Sequence, residues 1–253
     1  MKEITDFWKQ LNFTNKPYIH KDDTAFMNEN SCSAETYESY ISSEDFWHNN
    51  KGRFNTNLFP IPFAGNLKSA KIFILLLNPG LNLSDYHAEH TSPDFIEELK
   101  NNIAQENLNS EYPFLFLNPK FLWHPGGQYW LKKLKDHILK IKDTQNKSYI
   151  DALSYVSQKT AILELVPYHS NNFTFSSLIG KLKSVQQMKA FVNGYLINKV
   201  KENECCIICT RKSKEWNLPE HKNIIVYKGT ESRSAHLSKN SRAFNKIQEF
   251  LID

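Results

Sequence analysis

The feature of this sequence that most constrains its fold is an unbroken apolar run that ends in a turn. Residues 72–77 are all apolar, and they lead directly into Asn78-Pro79-Gly80. A short apolar run bounded by turn residues is typical of a strand buried on both faces, as in a parallel sheet covered by helices. Ligands of open α/β sheets bind at the carboxyl ends of the strands, so Asn78 is a candidate site residue. The alternative is an ordinary strand followed by an ordinary turn.

Three further apolar runs alternate with segments of helical periodicity. Strands are predicted at 72–77, 160–166, 205–210 and 223–227. Helices are predicted at about 93–106, around 130–141, at 149–158, as two segments within 176–202, and at 241–252. Strand alternating with helix predicts an α/β fold of three α/β/α layers, with a central, mostly parallel, four-stranded sheet.

The length of 253 residues suits one large domain with additions. Residues 1–65 carry irregularly spaced aromatic residues and predict a helical extension packed on the core. Residues 66–253 predict the α/β domain itself, with an insert near 84–120. The hydrophobic share of 40% and the charged share of 23% are those of ordinary globular proteins, so a fibrous or wholly disordered chain is excluded.

Charge and cysteine content narrow the class of protein further. The net charge of +4 is compatible with a polyanionic partner. No apolar run reaches the roughly 18 residues of a membrane helix, and the charged start lacks a signal-peptide core, so we expect a cytoplasmic protein that binds no membrane. Three of the four cysteines lie in the apolar run at 205–209, which favours buried reduced thiols over a disulfide or metal framework. We expect a monomer with no metal and no cofactor.

Polar residues follow each predicted strand. Because the carboxyl ends of parallel strands meet at one edge of a sheet, these residues are expected to converge. They are Asn78 after the first strand, Glu164, Tyr168 and His169 at the second, Arg211 and Lys212 after the third, and the basic, hydroxyl-rich loop 232–240 after the fourth. That loop could bind a phosphate backbone through hydroxyl and N–H groups, and the alternative is a solvated charged loop.

Three motifs resemble one family. The segment Leu77-Asn78-Pro79-Gly80-Leu81 resembles the first motif of the uracil-DNA glycosylase superfamily, especially its mismatch-specific and thymine-DNA glycosylase branch. The segment 121–130, FLWHPGGQYW, resembles that branch's aromatic and His-Pro landmark, and Ala235 to Asn240, AHLSKN, resembles the second catalytic loop. The resemblance covers residues 65–253. It implies a uracil-DNA glycosylase-like fold.

The resemblance also implies an activity. A flipped base of DNA, double-stranded or single-stranded, would be hydrolysed from its sugar by a monofunctional enzyme, which leaves an abasic site. Asn78 would orient the water, and His236 would stabilise the charge that develops on the departing base. Phe121 or Trp123 would stack on the base, while Glu164 and Tyr168 would complete its pocket.

The resemblance and the strand ends together predict contacts to the DNA backbone. The residues expected to make them are Arg211, Lys212, Arg233, Ser238, Lys239 and Asn240. Lys239 and Asn240 occupy the place where the family inserts a wedge into the duplex, but lysine suits phosphate contact better.

Departures from the family pattern concern the substrate. Leu76 replaces a small residue, Leu237 replaces a proline, and the insert near 84–120 lies between two walls of the expected pocket. A carboxylate at Glu164 prefers hydrogen-bond donors such as an exocyclic amine. We therefore expect a uracil-like, mismatched or modified base, including the hypermodified cytosines of bacteriophage DNA, and a role in phage defence is one hypothesis.

Two other functions remain open from the sequence. One is a nucleic-acid-binding protein of the same fold without catalysis, and the other is a small-molecule hydrolase that uses His169 or His236. A shared pocket for Asn78 and His236 would favour the glycosylase. The pair His87 and His90 lacks further metal ligands, and Tyr168-His169-Ser170 places neighbouring side chains on opposite faces, so neither pattern indicates a site by itself.

Overall fold

The computed structural model describes residues 1–47 and 52–252, and all four predicted apolar runs form strands in it. A fifth strand precedes them. The strands are β1 (Phe63–Ala64), β2 (Ile72–Leu76), β3 (Thr160–Glu164), β4 (Cys206–Cys209) and β5 (Ile224–Val226). Every residue of β2, β3 and β4 is buried, as the apolar runs predict.

The protein is an α/β protein with a five-stranded, mixed and mostly parallel sheet of order β1-β3-β2-β4-β5. β2 pairs in parallel with both β3 and β4, and β4 pairs in parallel with β5. The prediction of four strands is wrong by one, because β1 adds an antiparallel edge to β3. The sequence analysis missed this strand since two residues are too few for a pattern.

Helices account for most of the remaining chain. They are α1 (Lys2–Trp8), α2 (Thr24–Met27), α3 (Tyr37–Ile41), α4 (Glu44–Trp47), α5 (Leu83–Thr91), α6 (Pro93–Ala104), α7 (Pro125–Thr144), α8 (Tyr149–Lys159), α9 (Lys183–Ala190), α10 (Ile197–Lys201), α11 (Ser213–Trp216), α12 (Gly229–Ser234) and α13 (Ala243–Ile252). A π-helical segment, Phe191–Leu196, joins α9 to α10. Within the described ranges, no helix combines the length and apolar character needed to cross a bilayer.

Local sequence explains where the helices near the site begin and end. Pro93 opens α6 at a position that needs no backbone donor, and Gln105 ends it in the left-handed conformation. His124 caps α7, where its Nδ1 accepts from Gly126 N at 3.1 Å. Asn82 caps α5, and Asp85 returns the bond by accepting from Asn82 N, which forms a capping box.

The first N-terminal helix packs on the same apolar core as the sheet, whereas Tyr40 of α3 belongs to a second apolar cluster. Ile4, Phe7 and Trp8 are buried in that core, and α1 contacts α6 and α9. The boundary near residue 65 stays a prediction. The predicted extension includes residues 48–51 and the predicted domain includes residue 253, which lie outside the described residues.

A buried histidine fastens loop 236–240 to α7. His137 Nε2 lies 2.7 Å from Leu237 O, and His137 Nδ1 lies 2.7 Å from Gln248 Nε2. A neutral ring that donates from Nε2 and accepts at Nδ1 satisfies both contacts. Burial lowers the pKa of His137 to about 4, although the Leu237 carbonyl opposes the shift.

This histidine gives a testable pH dependence of stability. Since the pKa of His137 falls from about 6.5 in the unfolded chain to about 4 in the folded one, the unfolded state binds more protons between these values. The stabilisation is therefore present above pH 6.5 and is lost as the pH falls through that window. The free-energy difference between wild type and His137→Gln, from urea unfolding, should shrink by about 3 kcal/mol between pH 7 and pH 4. A constant difference would contradict this.

Candidate active site

The main pocket of the protein lies at the carboxyl ends of β2 and β3 and has a volume of about 440 Å³. Such a volume is typical of sites for small molecules or a single inserted group. Its apolar and aromatic lining includes Ile61, Leu76, Leu77, Leu81, Phe116, Tyr129, Trp130 and Ile162. Its polar lining consists of Asn78, Asn82, Asp85, His124, Glu164, His169, Ser170, Asn171 and Arg211.

Asn78 lies in this pocket, as the first apolar run predicts. Its Nδ2 donates to Ser170 Oγ at 3.0 Å, and the loop turns at Gly80, where φ is +71°. The left-handed conformation at Gly80 suits a residue without a Cβ atom. Since Nδ2 is occupied by Ser170, the amide is oriented with Oδ1 available to a molecule in the pocket.

Glu164 lies in the same pocket because of the strand register. It is the last residue of β3 and pairs with Leu76 of β2, two residues before Asn78. The side chain is buried, and Oε2 has no hydrogen-bond partner in the part of the chain that the structure describes. Burial raises the pKa of Glu164 well above its ordinary value, and the charge of Arg211 opposes this only in part. A neutral carboxyl offers one donor and one acceptor, whereas the sequence analysis assumed a carboxylate.

Asp85 is a second buried acid of the pocket, and the sequence analysis missed it. Its Oδ1 lies 2.9 Å from His124 Nε2, and its Oδ2 accepts from Asn82 N at 2.7 Å. Because His124 Nδ1 already accepts from Gly126 N, the ring proton is on Nε2 and is directed at Asp85. Burial alone raises the pKa of Asp85, but the hydrogen bond from His124 and the charges of His169 and His124 hold it below its ordinary value.

The sequence contained a signal for Asp85. Asn82 and Asp85 stand three residues apart at the start of α5, which is the spacing of a capping box. This helix belongs to the predicted insert near 84–120, so the insert supplies a buried acid to the pocket wall.

His169 lines the pocket but is not free to act as a base. Its Nδ1 lies 2.9 Å from Gly80 O and its Nε2 lies 3.1 Å from Phe59 O. Burial lowers the pKa of His169, while Asp85 and the carbonyl groups oppose the shift. Both ring nitrogens lie at hydrogen-bond distance from backbone carbonyl oxygens, so His169 joins the loop after β3 to the loop after β2.

The aromatic wall of the pocket contains two residues of the predicted segment 121–130 and one residue before it, but neither of the two predicted aromatic residues. Phe116, Tyr129 and Trp130 line the pocket. Phe121 is buried in the core against Phe95, and Trp123 is 45% exposed, so neither lines it. A Cβ atom at Gly126 would come within 2.7 Å of the Phe116 ring, so glycine is needed where α7 meets this wall.

Tyr168, predicted to contact the base, lies elsewhere. Its hydroxyl donates to Asp23 Oδ2 at 2.7 Å and accepts from His20 N at 3.2 Å. The side chain is fully buried and is not part of the pocket lining. Tyr168 therefore joins the N-terminal region to the loop after β3.

The structure does not bring His236 together with Asn78. His236 is exposed and lines a second cavity, formed by Tyr227, Glu231, Ser234, His236, Ser238, Asn240, Ser241 and Arg242. The carbonyl of His236 accepts from Tyr227 Oη, which holds the loop backbone on β5. The catalytic role of His236 stays a prediction, and His236 is not among the residues that line the main pocket.

The loop that carries His236 still borders the main pocket. Arg211 lines the pocket and donates to Arg233 O at 3.3 Å, and Lys133 Nζ contacts the carbonyls of Ser234 and Ala235. Lys133 also lies 5.3 Å from the centroid of Tyr129 in the pocket wall.

The residues predicted to bind the DNA backbone occupy several positions around this loop. Arg211, Arg233, Lys239 and Asn240 are exposed, and Ser238 is half-buried. The backbone N–H of Lys239 donates to Asp136 Oδ2 at 2.9 Å, and the residue is exposed. Lys212 points toward Ser176 and Phe173 instead. The DNA contacts themselves stay a prediction.

The four cysteines are free and buried, as predicted. Burial raises the pKa of Cys205 and Cys209 to about 12, so these thiols are neither ionised nor reactive at neutral pH. Among the residues described, His, Cys, Asp and Glu form no group of three or more that could hold a metal ion.

Comparison with known proteins finds no relative of this chain. No protein-family model matches it, and neither a curated protein nor a solved structure is significantly similar to it. The resemblance to the uracil-DNA glycosylase superfamily therefore rests on the three sequence motifs.

The contact between Asp85 and His124 gives a prediction on stability. Removal of His124 leaves a buried carboxylate without its donor and α7 without its cap, so His124→Ala should lower the free energy of unfolding by about 3 kcal/mol. In an Asp85→Asn background the same change should cost only about 1 kcal/mol, because no buried charge remains. Urea unfolding measures both. Equal costs in the two backgrounds would contradict the contact, and His87→Ala, an exposed change on α5, is the control.

Proposed function

We propose that the protein is a monofunctional DNA glycosylase with a uracil-DNA glycosylase-like, three-layer α/β/α domain. The observation that carries the proposal is that Asn78 and Glu164, on neighbouring parallel strands, line one pocket with an aromatic wall. The first-motif resemblance places an asparagine at this point of such an enzyme, and the structure has Asn78 at a strand end in a pocket. The substrate is DNA with one nucleotide flipped out of the stack.

The pocket meets the chemical needs of base removal. Hydrolysis requires a water next to the sugar carbon, stabilisation of the departing base, and exclusion of bulk solvent. Asn78 Oδ1 accepts a hydrogen bond from the water, while Ser170 fixes the orientation of the amide. An amide is not a general base, so the rate depends on how readily the base departs. Phe116 and Tyr129 provide flat surfaces for the flipped base.

Basic residues at the edge of the pocket suit a DNA partner. Arg211, Arg233 and Lys239 are exposed, and Arg211 also lines the pocket. Cations at the edge of a pocket that holds a flipped nucleotide contact the phosphates that flank this nucleotide. The net charge of +4 supports association with a polyanion.

His169 argues against the small-molecule hydrolase. Its two ring nitrogens lie 2.9 Å and 3.1 Å from backbone carbonyl oxygens, so neither nitrogen is directed at a substrate in the pocket. The proposal therefore concerns DNA, and a role against phages with modified bases remains compatible with it.

An abasic-site assay tests the proposal. The protein is incubated with oligonucleotides that carry uracil, G·T and G·U mismatches, unmodified bases or phage-type modified cytosines, and strand breaks at abasic sites are counted. We expect release from at least one class, and a loss of about 100-fold or more in Asn78→Ala, because the water loses its positioning group. His236→Ala should lose less than about threefold, since His236 lines the second cavity.

The control for this assay is Asn198→Ala, an exposed asparagine of α10 outside the pocket. Salt-sensitive DNA binding without abasic sites on any oligonucleotide would overturn the proposal in favour of a binding protein without catalysis. A large loss in His236→Ala with little loss in Asn78→Ala would place the chemistry in the second cavity.

A further inference from the structure

Two buried carboxyl groups line the main pocket, and their surroundings differ. Glu164 comes from the end of β3 and Asp85 from the first turn of α5, so they approach the pocket from different elements. Neither acid is paired with a lysine or arginine by an ion pair within the described ranges. Enzymes place two carboxyl groups in different environments of one site, so that one donates a proton and the other stays charged.

Glu164 has the surroundings of a proton donor. Its Oε2 is buried without a partner, and Leu76, Ile162 and Trp130 share its pocket. The charge of Arg211 lowers the pKa of Glu164 in part. Tyr129 is a neighbouring phenol, and burial and the presence of Glu164 raise the pKa of Tyr129. Burial raises the pKa of Glu164 well above its ordinary value, which favours the protonated carboxyl group.

Asp85 has surroundings that stabilise its anionic form. Its Oδ1 lies 2.9 Å from His124 Nε2, its Oδ2 accepts from Asn82 N, and His169 Nδ1 lies 3.7 Å from Oδ2. Three nitrogen atoms within 4 Å stabilise the charged form. His124 Nδ1 accepts from Gly126 N and Nε2 lies 2.9 Å from Asp85 Oδ1, so this ring positions Asp85.

We propose that Glu164 protonates the departing base and that Asp85 stabilises the positive charge on the sugar, which makes the site specific for bases with an amidine edge. This inference rests on the proposed glycosylase function. An amidine edge is a ring nitrogen beside an exocyclic amine, as in cytosine and adenine. A neutral carboxyl group matches it, because the O–H donates to the ring nitrogen and the carbonyl oxygen accepts from the amine.

The proton balance of the step is complete. Glu164 transfers its proton to the ring nitrogen, the bond between C1′ and the base breaks, and its electron pair stays with the base, which leaves neutral. Water held by Asn78 adds to C1′, and its surplus proton passes to Asp85. Exchange with solvent then restores the proton on Glu164 and removes that on Asp85. The net reaction is addition of one water across the C1′–N bond.

Substrates that lack the ring nitrogen test the inference. Oligonucleotides with cytosine-type or adenine-type bases, modified or not, are compared with 3-deazacytosine, 1-deazaadenine and uracil. We expect wild type to release the amidine bases at least about 100-fold faster than their deaza analogues, which accept no proton there. Glu164→Gln should lose a similar factor on the amidine bases and almost nothing further on the analogues. Glu220→Gln, an exposed change, is the control.

The outcomes separate this inference from the proposed function. Release of uracil alone, at a rate unchanged in Glu164→Gln, would overturn this inference but would support the proposed glycosylase function. Release of no base from any oligonucleotide would overturn both.

Infrared spectroscopy tests the protonation of Glu164 even if the Glu164→Gln variant binds DNA poorly. Infrared difference spectra of wild type against Glu164→Gln should show the band of a protonated carboxyl group at neutral pH. A carboxylate band in its place would overturn the assignment of Glu164 as the donor.

Discussion

The parallel pairing of β2 with β3 is the constraint on which the geometry of the site depends. The register that opposes Leu76 to Glu164 places Asn78 just beyond the same sheet edge, and Val166 N continues the pairing to Leu77 O at 2.8 Å. A shift of one residue would turn Glu164 to the opposite face of the sheet. His169 then fastens the two loops by holding Gly80 O.

The two buried acids of the pocket have different polar surroundings. Asp85 lies against the imidazole of His124 and accepts from Asn82 N, while Glu164 is buried with an unpartnered oxygen. Burial of an acid without a donor costs stability, and such groups are found mainly where chemistry requires them. The cost is offset by the apolar core around β2, β3 and β4, whose residues are all buried.

The sequence predicted the parts of the site that depend on local pattern. Apolar runs located β2 and β3, and the turn after β2 located Asn78, because strand ends are marked by composition. The sequence predicted Phe121 instead of Phe116 at the pocket. Periodicity does not distinguish the core-facing side of a short 3₁₀ turn from its pocket-facing side. Asp85 was missed because its partner His124 lies 39 residues away, and only tertiary packing brings them within 2.9 Å. The placement of His236 likewise depends on Tyr227 and on the tether from His137 to Leu237.

The most direct test of the central claim is a crystal structure of Asn78→Ala with an oligonucleotide that carries a non-hydrolysable 2′-fluoro nucleotide with a cytosine base. The account predicts that this base lies in the main pocket, between Phe116 and Tyr129, with Glu164 at its amidine edge. It also predicts phosphates beside Arg211 and Arg233. A base in the cavity of His236, or a duplex bound with no nucleotide flipped, would contradict it.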